Sequence, residues 1–175
     1  MRVIAGTLGG RIFQSPHGYR THPMSDKMRG ALFNSLGDIT GLTVLDAFAG
    51  SGALCFEALS RGAASALAVE RDRSAQRAIA ENMRTLGVNS SMKLIKAGAG
   101  AWLRTTNDTF DIVLLDPPYN ALQYDLLDEL VTRVAANGTL VLSWPGKEMP
   151  PKFAGFSVRT QKQYGDGSLH IYDRA

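Results

Sequence analysis

The sequence predicts an α/β protein with a seven-stranded, mostly parallel sheet and helices on both faces. Three observations lead to this prediction. Short apolar runs alternate with helix-length segments between residues 41 and 143, as in a parallel sheet with crossover helices. Glycines and acidic residues follow several of these runs, where strand ends are expected. Near the C-terminus, Gly165-Asp166-Gly167 separates two strand-like segments, which predicts a hairpin of antiparallel strands.

Residues 1–36 are predicted to form a small hairpin and helix ahead of the sheet. The apolar pieces 3–4 and 12–13 flank a glycine pair, which favours a hairpin. Ser25 is suited to cap a helix that continues to about Leu36, where a glycine ends it.

The first elements of the sheet follow from apolar runs and helical spacing. Residues 42–45 and 65–69 are apolar runs of strand length. A glycine turn between them opens a helix that ends near Arg61. Apolar residues recur at helical spacing over 73–86, and a third strand is predicted at 92–95.

The second half repeats the alternation and then departs from it. A short helix near 100–103 precedes a fourth strand at 110–115. A stripe of leucines and valines predicts a helix over 122–135, followed by a fifth strand at 139–143. The last two predicted strands are the hairpin segments, 156–164 and 168–173.

Length and composition predict one domain, residues 1–175, with a full core. The chain has 175 residues, of which 45% are hydrophobic and 20% charged. It has no run of 18 apolar residues, so no membrane span is expected. Its start lacks the apolar core of a signal peptide. We therefore expect a cytoplasmic protein, and a monomer.

Cysteine and histidine usage predicts neither a disulfide nor a metal site. Cys55 is the single cysteine, which fits a reducing compartment. His17, His22 and His170 have no ligand spacing with each other or with Cys55.

Positive charge is concentrated at the N-terminus. The net charge is +3, and five cations against Asp26 give residues 1–36 a charge of +4, which leaves −1 for the remainder. A phosphate-binding surface and an ordinary solvated surface are both consistent with this charge. The five cations are Arg2, Arg11, Arg20, Lys27 and Arg29.

The first strand ends in a glycine turn that predicts a nucleotide site. Gly50 and Gly52 would let the backbone approach a ligand at the carboxyl end of the strand. Glu70 lies 18 residues past Gly52, at the end of the second strand, where a carboxylate can accept both ribose hydroxyls. Asp46 could hold an ammonium group, and an adenosine that bears an ammonium group is S-adenosylmethionine. The predicted cofactor-binding set is Asp46, Ala49, Gly50, Ser51, Gly52, Glu70, Arg71, Gly98 and Ala99.

Asp116-Pro117-Pro118-Tyr119, directly after the fourth strand, predicts chemistry on a planar amine. The Asp116 carboxylate and the Pro117 carbonyl could accept the two N–H groups of an exocyclic amine, and Tyr119 could stack on the base. We therefore assign catalytic roles to Asp116, Pro117 and Tyr119. The alternative is a Pro-Pro turn after a core strand.

These residues resemble the class I methyltransferases, and most closely the small-subunit ribosomal RNA guanine-N2 methyltransferase family. The resemblance implies a Rossmann-like fold, S-adenosylmethionine as methyl donor, and a guanine of 16S ribosomal RNA as target. The RNA could be free or part of a small-subunit particle, with the basic extension 1–36 binding it. The matching segments are 1–6, 32–34, 45–53, 57–63, 69–72, 116–119 and 164–166.

The chain departs from the family pattern at several positions. His22 and Met24 replace a usual Arg and Thr, and Gly30 replaces a common Glu. Ser143-Trp144 stands where a Glu is frequent near the fifth strand end. Three alternatives stay open: an adenine-N6 methyltransferase acting on DNA or RNA, a nicotinamide-dependent oxidoreductase, and a non-catalytic RNA-binding module. The oxidoreductase would want a third glycine at position 55, which is Cys55 here.

Overall fold

The computed structural model describes residues 1–18 and 23–175, and its centre is a seven-stranded sheet. The strands are β1 (Thr43–Asp46), β2 (Ser65–Val69), β3 (Met92–Ile95), β4 (Phe110–Leu115), β5 (Val134–Pro145), β6 (Phe156–Tyr164) and β7 (Gly167–Arg174). The helices are α1 (Asp26–Leu36), α2 (Ala53–Ser60), α3 (Arg73–Leu86), α4 (Ala99–Leu103) and α5 (Tyr124–Leu130). Helices and strands therefore alternate along the chain up to the last two strands.

The strand order is β3-β2-β1-β4-β5-β7-β6. The first five strands pair in parallel, and β7 is antiparallel to both β5 and β6. The predicted mostly parallel sheet with an antiparallel C-terminal hairpin is confirmed. Because the order reverses between β1 and β4, the carboxyl ends of these two strands flank a crevice where ligands bind in such sheets.

Two hydrophobic cores cover the two faces of the sheet. Leu32, Phe56 and Ile79 belong to the core under α1, α2 and α3. Trp102 and Leu127 belong to the core under α4 and α5. We call these the α1–α3 core and the α4–α5 core. None of the helices in the described parts of the chain, 1–18 and 23–175, is long and apolar enough to cross a membrane.

Alternation along the strands decides which face each functional side chain joins. In β4, Leu114 packs in the α1–α3 core and Leu115 in the α4–α5 core. Successive side chains of a strand point to opposite faces, so Asp116 continues on the α1–α3 side. Asp46 follows Leu45, a residue of the α4–α5 core, and therefore lies on that same α1–α3 side.

The predicted N-terminal hairpin and helix are confirmed. Arg2 and Ile12 form an antiparallel bridge, and the amide of Val3 donates to the carbonyl of Arg11 at 2.9 Å. Ser25 caps α1 by accepting from the amide of Met28 at 3.2 Å. The hairpin and α1 therefore form a folded extension beside the sheet.

The predicted helix over 122–135 is wrong in its second half. Helix α5 ends at Leu130, a 3₁₀ turn covers Val131–Arg133, and β5 begins at Val134, which pairs with Phe110. The apolar stripe did identify buried residues, because Leu130, Val131 and Val134 are all buried. A β-branched valine can be buried as well in a strand as in a helix, so the periodicity predicted burial and not the element.

Candidate active site

The glycine turn after β1 is held between the two neighbouring strands. The amide of Ala47 donates to Leu114 of β4 at 3.2 Å, and the amide of Ala49 donates to Val69 of β2 at 3.0 Å. Gly52 has a φ of +80°, and a Cβ there would lie 2.9 Å from the Phe56 ring. A side chain at position 52 would therefore be strained and crowded, and this position requires glycine.

Glu70, directly after β2, holds this turn in place through hydrogen bonds of its carboxylate. Its carboxylate accepts from the amide of Gly50 and from the amide of Asp72, both at 2.7 Å. The side chain is 7% exposed, so these bonds form away from bulk water. Each oxygen keeps a further lone pair, and the carboxylate is fixed in one orientation at the sheet edge. These two hydrogen bonds were not predicted from the sequence.

Asp46 is a carboxylate buried at the end of β1. It is 1% exposed, and its Oδ1 accepts from the amide of Phe48 at 3.2 Å. Burial, helped by the nearby Asp116 and Glu70, raises the pKa of Asp46 to about 8, against the opposing effect of the Phe48 amide. Among the residues that the structure describes, no Lys, Arg or His forms an ion pair with Asp46. A buried carboxylate in this setting suits a cationic ligand.

The catalytic candidates lie on the loop that leaves β4. Asp116 is half-buried, and burial raises its pKa, while the hydroxyl of Ser143 acts in the opposite direction. Pro117 is buried, and the carbonyl of Pro118 accepts from the amide of Ala121 at 3.0 Å. The two prolines and this turn leave the loop little backbone freedom.

Tyr119 turns back towards the sheet. Its hydroxyl lies 2.5 Å from the Oγ of Ser143 on β5, and the residue is 38% exposed. Burial raises the pKa of Tyr119, so the phenol stays protonated at neutral pH. Sequence reasoning noted Ser143 only as the replacement of a Glu, and did not predict this contact.

The remaining cofactor candidates also lie at the carboxyl edge of the sheet. Gly98 follows β3, and a Cβ at this position would meet no atom within 4 Å. Ala99, Ala49 and Ser51 are buried, and Arg71 is exposed after β2. The open space at Gly98 leaves room for a flat ligand at the end of β3.

The predicted RNA-binding cations do not form one free surface. Arg2 pairs with Asp26 at 3.0 Å while its side chain stays 66% exposed. Arg11 donates to the carbonyl of Thr85 at the end of α3, at 2.6 Å. Lys27 is exposed. Arg20, like His22, lies outside the described residues.

Arg29 cannot belong to an RNA-binding surface, because its side chain is only 1% exposed. It donates to the carbonyl of Arg2 at 2.7 Å and to Asp26 at 3.0 Å. Its Nε lies 3.9 Å from Glu57. The charge pattern of the sequence predicted a surface residue, whereas the structure gives Arg29 a role in holding the N-terminal hairpin on α1.

Glu57 is a second structural residue that sequence reasoning missed. It is fully buried on α2 and accepts from the amides of Ile4 at 2.8 Å and Ala5 at 3.1 Å. It also accepts from Arg61 at 2.8 Å. Its position within the matched segment 57–63 was a signal of importance, but the two amides that it bonds in the hairpin lie over 50 residues away.

Taken together, the carboxyl ends of β1, β2 and β4 present three carboxylates around the glycine turn. Asp46 and Glu70 are buried, and Asp116 is half-buried. This edge can hold a cationic nucleotide and offer acceptors to an amine. Within residues 1–18 and 23–175, no three side chains of His, Cys, Asp or Glu come together as metal ligands.

A family model and two curated proteins match almost the whole length of this chain. The family model described as "Conserved hypothetical protein 95" matches residues 1–173. The Escherichia coli K12 protein named ribosomal RNA small subunit methyltransferase D is 32% identical over 182 aligned residues, covering 99% of this chain and 90% of that protein. A Bacillus subtilis protein, provisionally named rRNA methyltransferase YlbH, is also 32% identical, with 99% of both chains covered.

A solved structure agrees with the fold. The Escherichia coli protein provisionally named methyltransferase yhhF superposes with a TM-score of 0.89 at 31% identity, covering 99% of this chain and 97% of that one. The similarity thus extends over the N-terminal extension, the parallel strands and the C-terminal hairpin.

Proposed function

The chain belongs to the conserved hypothetical protein 95 family of class I S-adenosylmethionine-dependent methyltransferases, and from this membership we propose that it methylates the exocyclic N2 amine of a guanine in 16S ribosomal RNA. The observation that carries the proposal is the juxtaposition of Asp46 and Asp116 across the crevice between β1 and β4. One carboxylate suits a cationic methyl donor, and the other suits the amine that receives the methyl group. The relatives named as ribosomal RNA methyltransferases support RNA as the substrate.

The residues at the sheet edge fit S-adenosylmethionine. Asp46 is a buried carboxylate with no cation in the described structure, and would pair with the ammonium group. Glu70 retains lone pairs for the ribose hydroxyls, and Gly98 leaves space for the adenine. Ala49, Ser51, Arg71 and Ala99 stay predicted contacts. When bound, this cofactor supplies a methyl group already activated by its sulfonium.

Positioning and electrostatics are the protein's contribution to the reaction. Asp116 and the carbonyl of Pro117 accept the two N–H groups of the amine, which favours a pyramidal nitrogen with its lone pair directed at the methyl group. The nitrogen becomes acidic as it is alkylated, and the raised pKa of Asp116 suits it to take the released proton. Tyr119 stacks on the base, which must leave any stacked helix to reach the site.

The N-terminal extension 1–36 is proposed as the RNA-binding part of a single domain. Arg2, Arg11 and Lys27 carry its exposed charge, and Arg20 remains a prediction. A ribosomal RNA substrate would place the protein in the cytoplasm, where it could act on free RNA or on a small-subunit particle.

Methyl transfer to RNA followed by nucleoside analysis tests this function. The purified protein is incubated with radiolabelled S-adenosylmethionine and, in parallel reactions, with free 16S RNA and with small-subunit particles, both from cells that lack the enzyme. We expect label in N2-methylguanosine. Label in N6-methyladenosine would refute the guanine assignment, and transfer to duplex DNA instead of RNA would refute the RNA substrate. No transfer to free RNA, to particles or to DNA would refute the activity.

A further inference from the structure

Ser143 lies beside the catalytic loop without belonging to the predicted motif. The last registered pair between β4 and β5 is Leu115 with Leu142. Asp116 and Ser143 each follow one residue later, so the two side chains continue side by side on the α1–α3 side of the sheet. Ser143 is 2% exposed, and a hydroxyl so deeply buried needs a hydrogen-bond partner.

That partner is Tyr119. The two hydroxyl oxygens are 2.5 Å apart, and Tyr119 is otherwise 38% exposed. The phenol tip is therefore anchored while part of the ring remains open to solvent. A serine hydroxyl has one donor and two acceptor sites, so Ser143 can accept from Tyr119 and still donate towards the neighbouring Asp116.

The β6–β7 hairpin makes room for the anchored phenol. A Cβ added at Gly167, the first residue of β7, would lie 2.9 Å from the Tyr119 hydroxyl. The same hairpin is tied to the end of β5, because the amide of Gly146 donates to the carbonyl of Asp166 at 2.7 Å. Ser143 and the bare backbone at Gly167 thus bound a slot for the tip of Tyr119.

We propose, resting on the function proposed above, that Ser143 is the positioning residue of the acceptor site: its hydroxyl fixes the Tyr119 ring in the orientation that receives the target base. Its neighbour Trp144 has no part in this, because it is fully buried in the α4–α5 core on the opposite face. Ser143, which stands near the position where the family frequently has a Glu, therefore positions Tyr119 in this chain.

Kinetics of Ser143→Ala, Tyr119→Phe and the double variant test this proposal. We expect Tyr119→Phe to lower kcat/KM for RNA about tenfold, and Ser143→Ala at least as much, because it also removes the hydroxyl beside Asp116. The double variant should lose no more than Ser143→Ala alone, because the bond between the two hydroxyls is then already gone. Affinity for S-adenosylhomocysteine should stay unchanged. Ser143→Thr, which keeps the hydroxyl, should retain most of the activity.

Ser168→Ala is the matched control. Ser168 is also buried, at 4% exposure, but its hydroxyl bonds to Trp144 and His170. This variant should keep the wild-type kcat/KM. Unchanged kinetics in Ser143→Ala, or additive losses in the double variant, would overturn the proposal.

A second measurement is independent of activity. With ¹³C-labelled tyrosine, the Tyr119 resonance is assigned by its loss in Tyr119→Phe among the five tyrosines of the chain. The Ser143 bond lowers the pKa of Tyr119 against the effect of burial, so this resonance should titrate at higher pH in Ser143→Ala and not in Ser168→Ala. An unshifted titration overturns the proposal. A shifted titration in a protein that transfers no methyl group would instead refute the proposed function alone.

Discussion

At the scale of one residue, the proposed contribution of Asp116 is a carboxylate that accepts a hydrogen bond from the substrate amine. Replacing it with alanine removes one of the two proposed acceptors and leaves the glycine turn and Glu70 untouched. We expect Asp116→Ala to lower the rate of methyl transfer by about a hundredfold or more, with S-adenosylhomocysteine binding retained in calorimetry. Asp128→Ala, an exposed carboxylate on α5, is the control. Near-normal turnover of Asp116→Ala would exclude the proposed mechanism.

Asp46 makes stability depend on pH in a direction that can be stated in advance. Its pKa is about 8 in the folded protein against 3.8 for a free carboxyl, so between these values the folded state binds a proton that the unfolded state has released. The contribution of this group is therefore largest at low pH and is lost as the pH rises towards 8.

The prediction concerns the unfolding free energy of the unliganded protein between about pH 5 and about pH 8. Denaturant titrations should show a steeper loss of stability with rising pH in the wild type than in Asp46→Asn. His170 acts in the opposite direction, because burial lowers its pKa, so the difference between the two proteins isolates Asp46. Parallel pH profiles would contradict the raised pKa.

At the scale of elements, the N-terminal hairpin is held on α1 and α2 by buried charge. Glu57 bonds the backbone of Ile4 and Ala5, and Arg29 bonds the backbone of Arg2. Asn82 of α3 adds a two-way bond with the backbone of Gln14, at 2.9 and 2.8 Å. The hairpin is thus attached to α1, α2 and α3 mainly through side chains that bond its main chain.

Removing Glu57 should loosen the attachment of the hairpin to α2. Glu57→Ala leaves two amides without their acceptor and Arg29 buried beside an apolar side chain, so we expect a loss of about 3 kcal/mol or more in urea unfolding. Glu81→Ala is the matched control, since Glu81 also pairs with an arginine but is exposed, and should cost about 1 kcal/mol or less. Equal losses in the two variants would show that the buried hydrogen bonds of Glu57 stabilise the fold no more than the exposed ion pair of Glu81 does.

Sequence reasoning succeeded where the signal was local. The glycine turn, Glu70 and Asp116 each follow an apolar run, so a strand end could be recognised and placed at one edge of a parallel sheet. The contacts of Ser143 with Tyr119 and of Glu57 with the Ile4 amide could not be found in this way, because they span 24 and 53 residues. The end of α5 failed for a different reason, since apolar spacing around Val131 reports burial and does not distinguish a helix from a strand.

At the scale of the whole molecule, the basic extension and the catalytic candidates are far apart in sequence but lie on the same face of the sheet. Arg2 and Arg11 lie in the hairpin, which is held on α1–α3, and Asp46, Asp116 and Ser143 lie on that same side of the sheet. An RNA held by the extension would therefore lie on the face that carries these candidate side chains, while Arg11, which bonds Thr85 at the C-terminal end of α3, lies towards the edge of the sheet opposite Asp116.

RNA affinity and its dependence on salt test this arrangement. Replacing Arg2 and Arg11 with alanine should weaken binding to 16S RNA. It should also make the decrease of log K, where K is the association constant, with log salt less steep, by about 0.7 for each phosphate that is no longer neutralised. Fluorescence anisotropy over a salt series measures both quantities. Lys152→Ala, an exposed cation in the loop before β6, should leave the slope unchanged. An unaltered slope in the double variant would remove the extension from RNA binding.

The hydrogen bond between Glu70 and the Gly50 amide has a consequence for the rate at which a ligand binds. A surface loop usually opens and closes freely, and a ligand must then order it. Here the Gly50 amide is bonded to a buried carboxylate, and the turn is bonded to β2 and β4, so opening the turn means breaking into the sheet. The turn should share the slow opening of the core strands. A ligand would therefore meet a surface already formed, and its arrival would be limited by diffusion and desolvation.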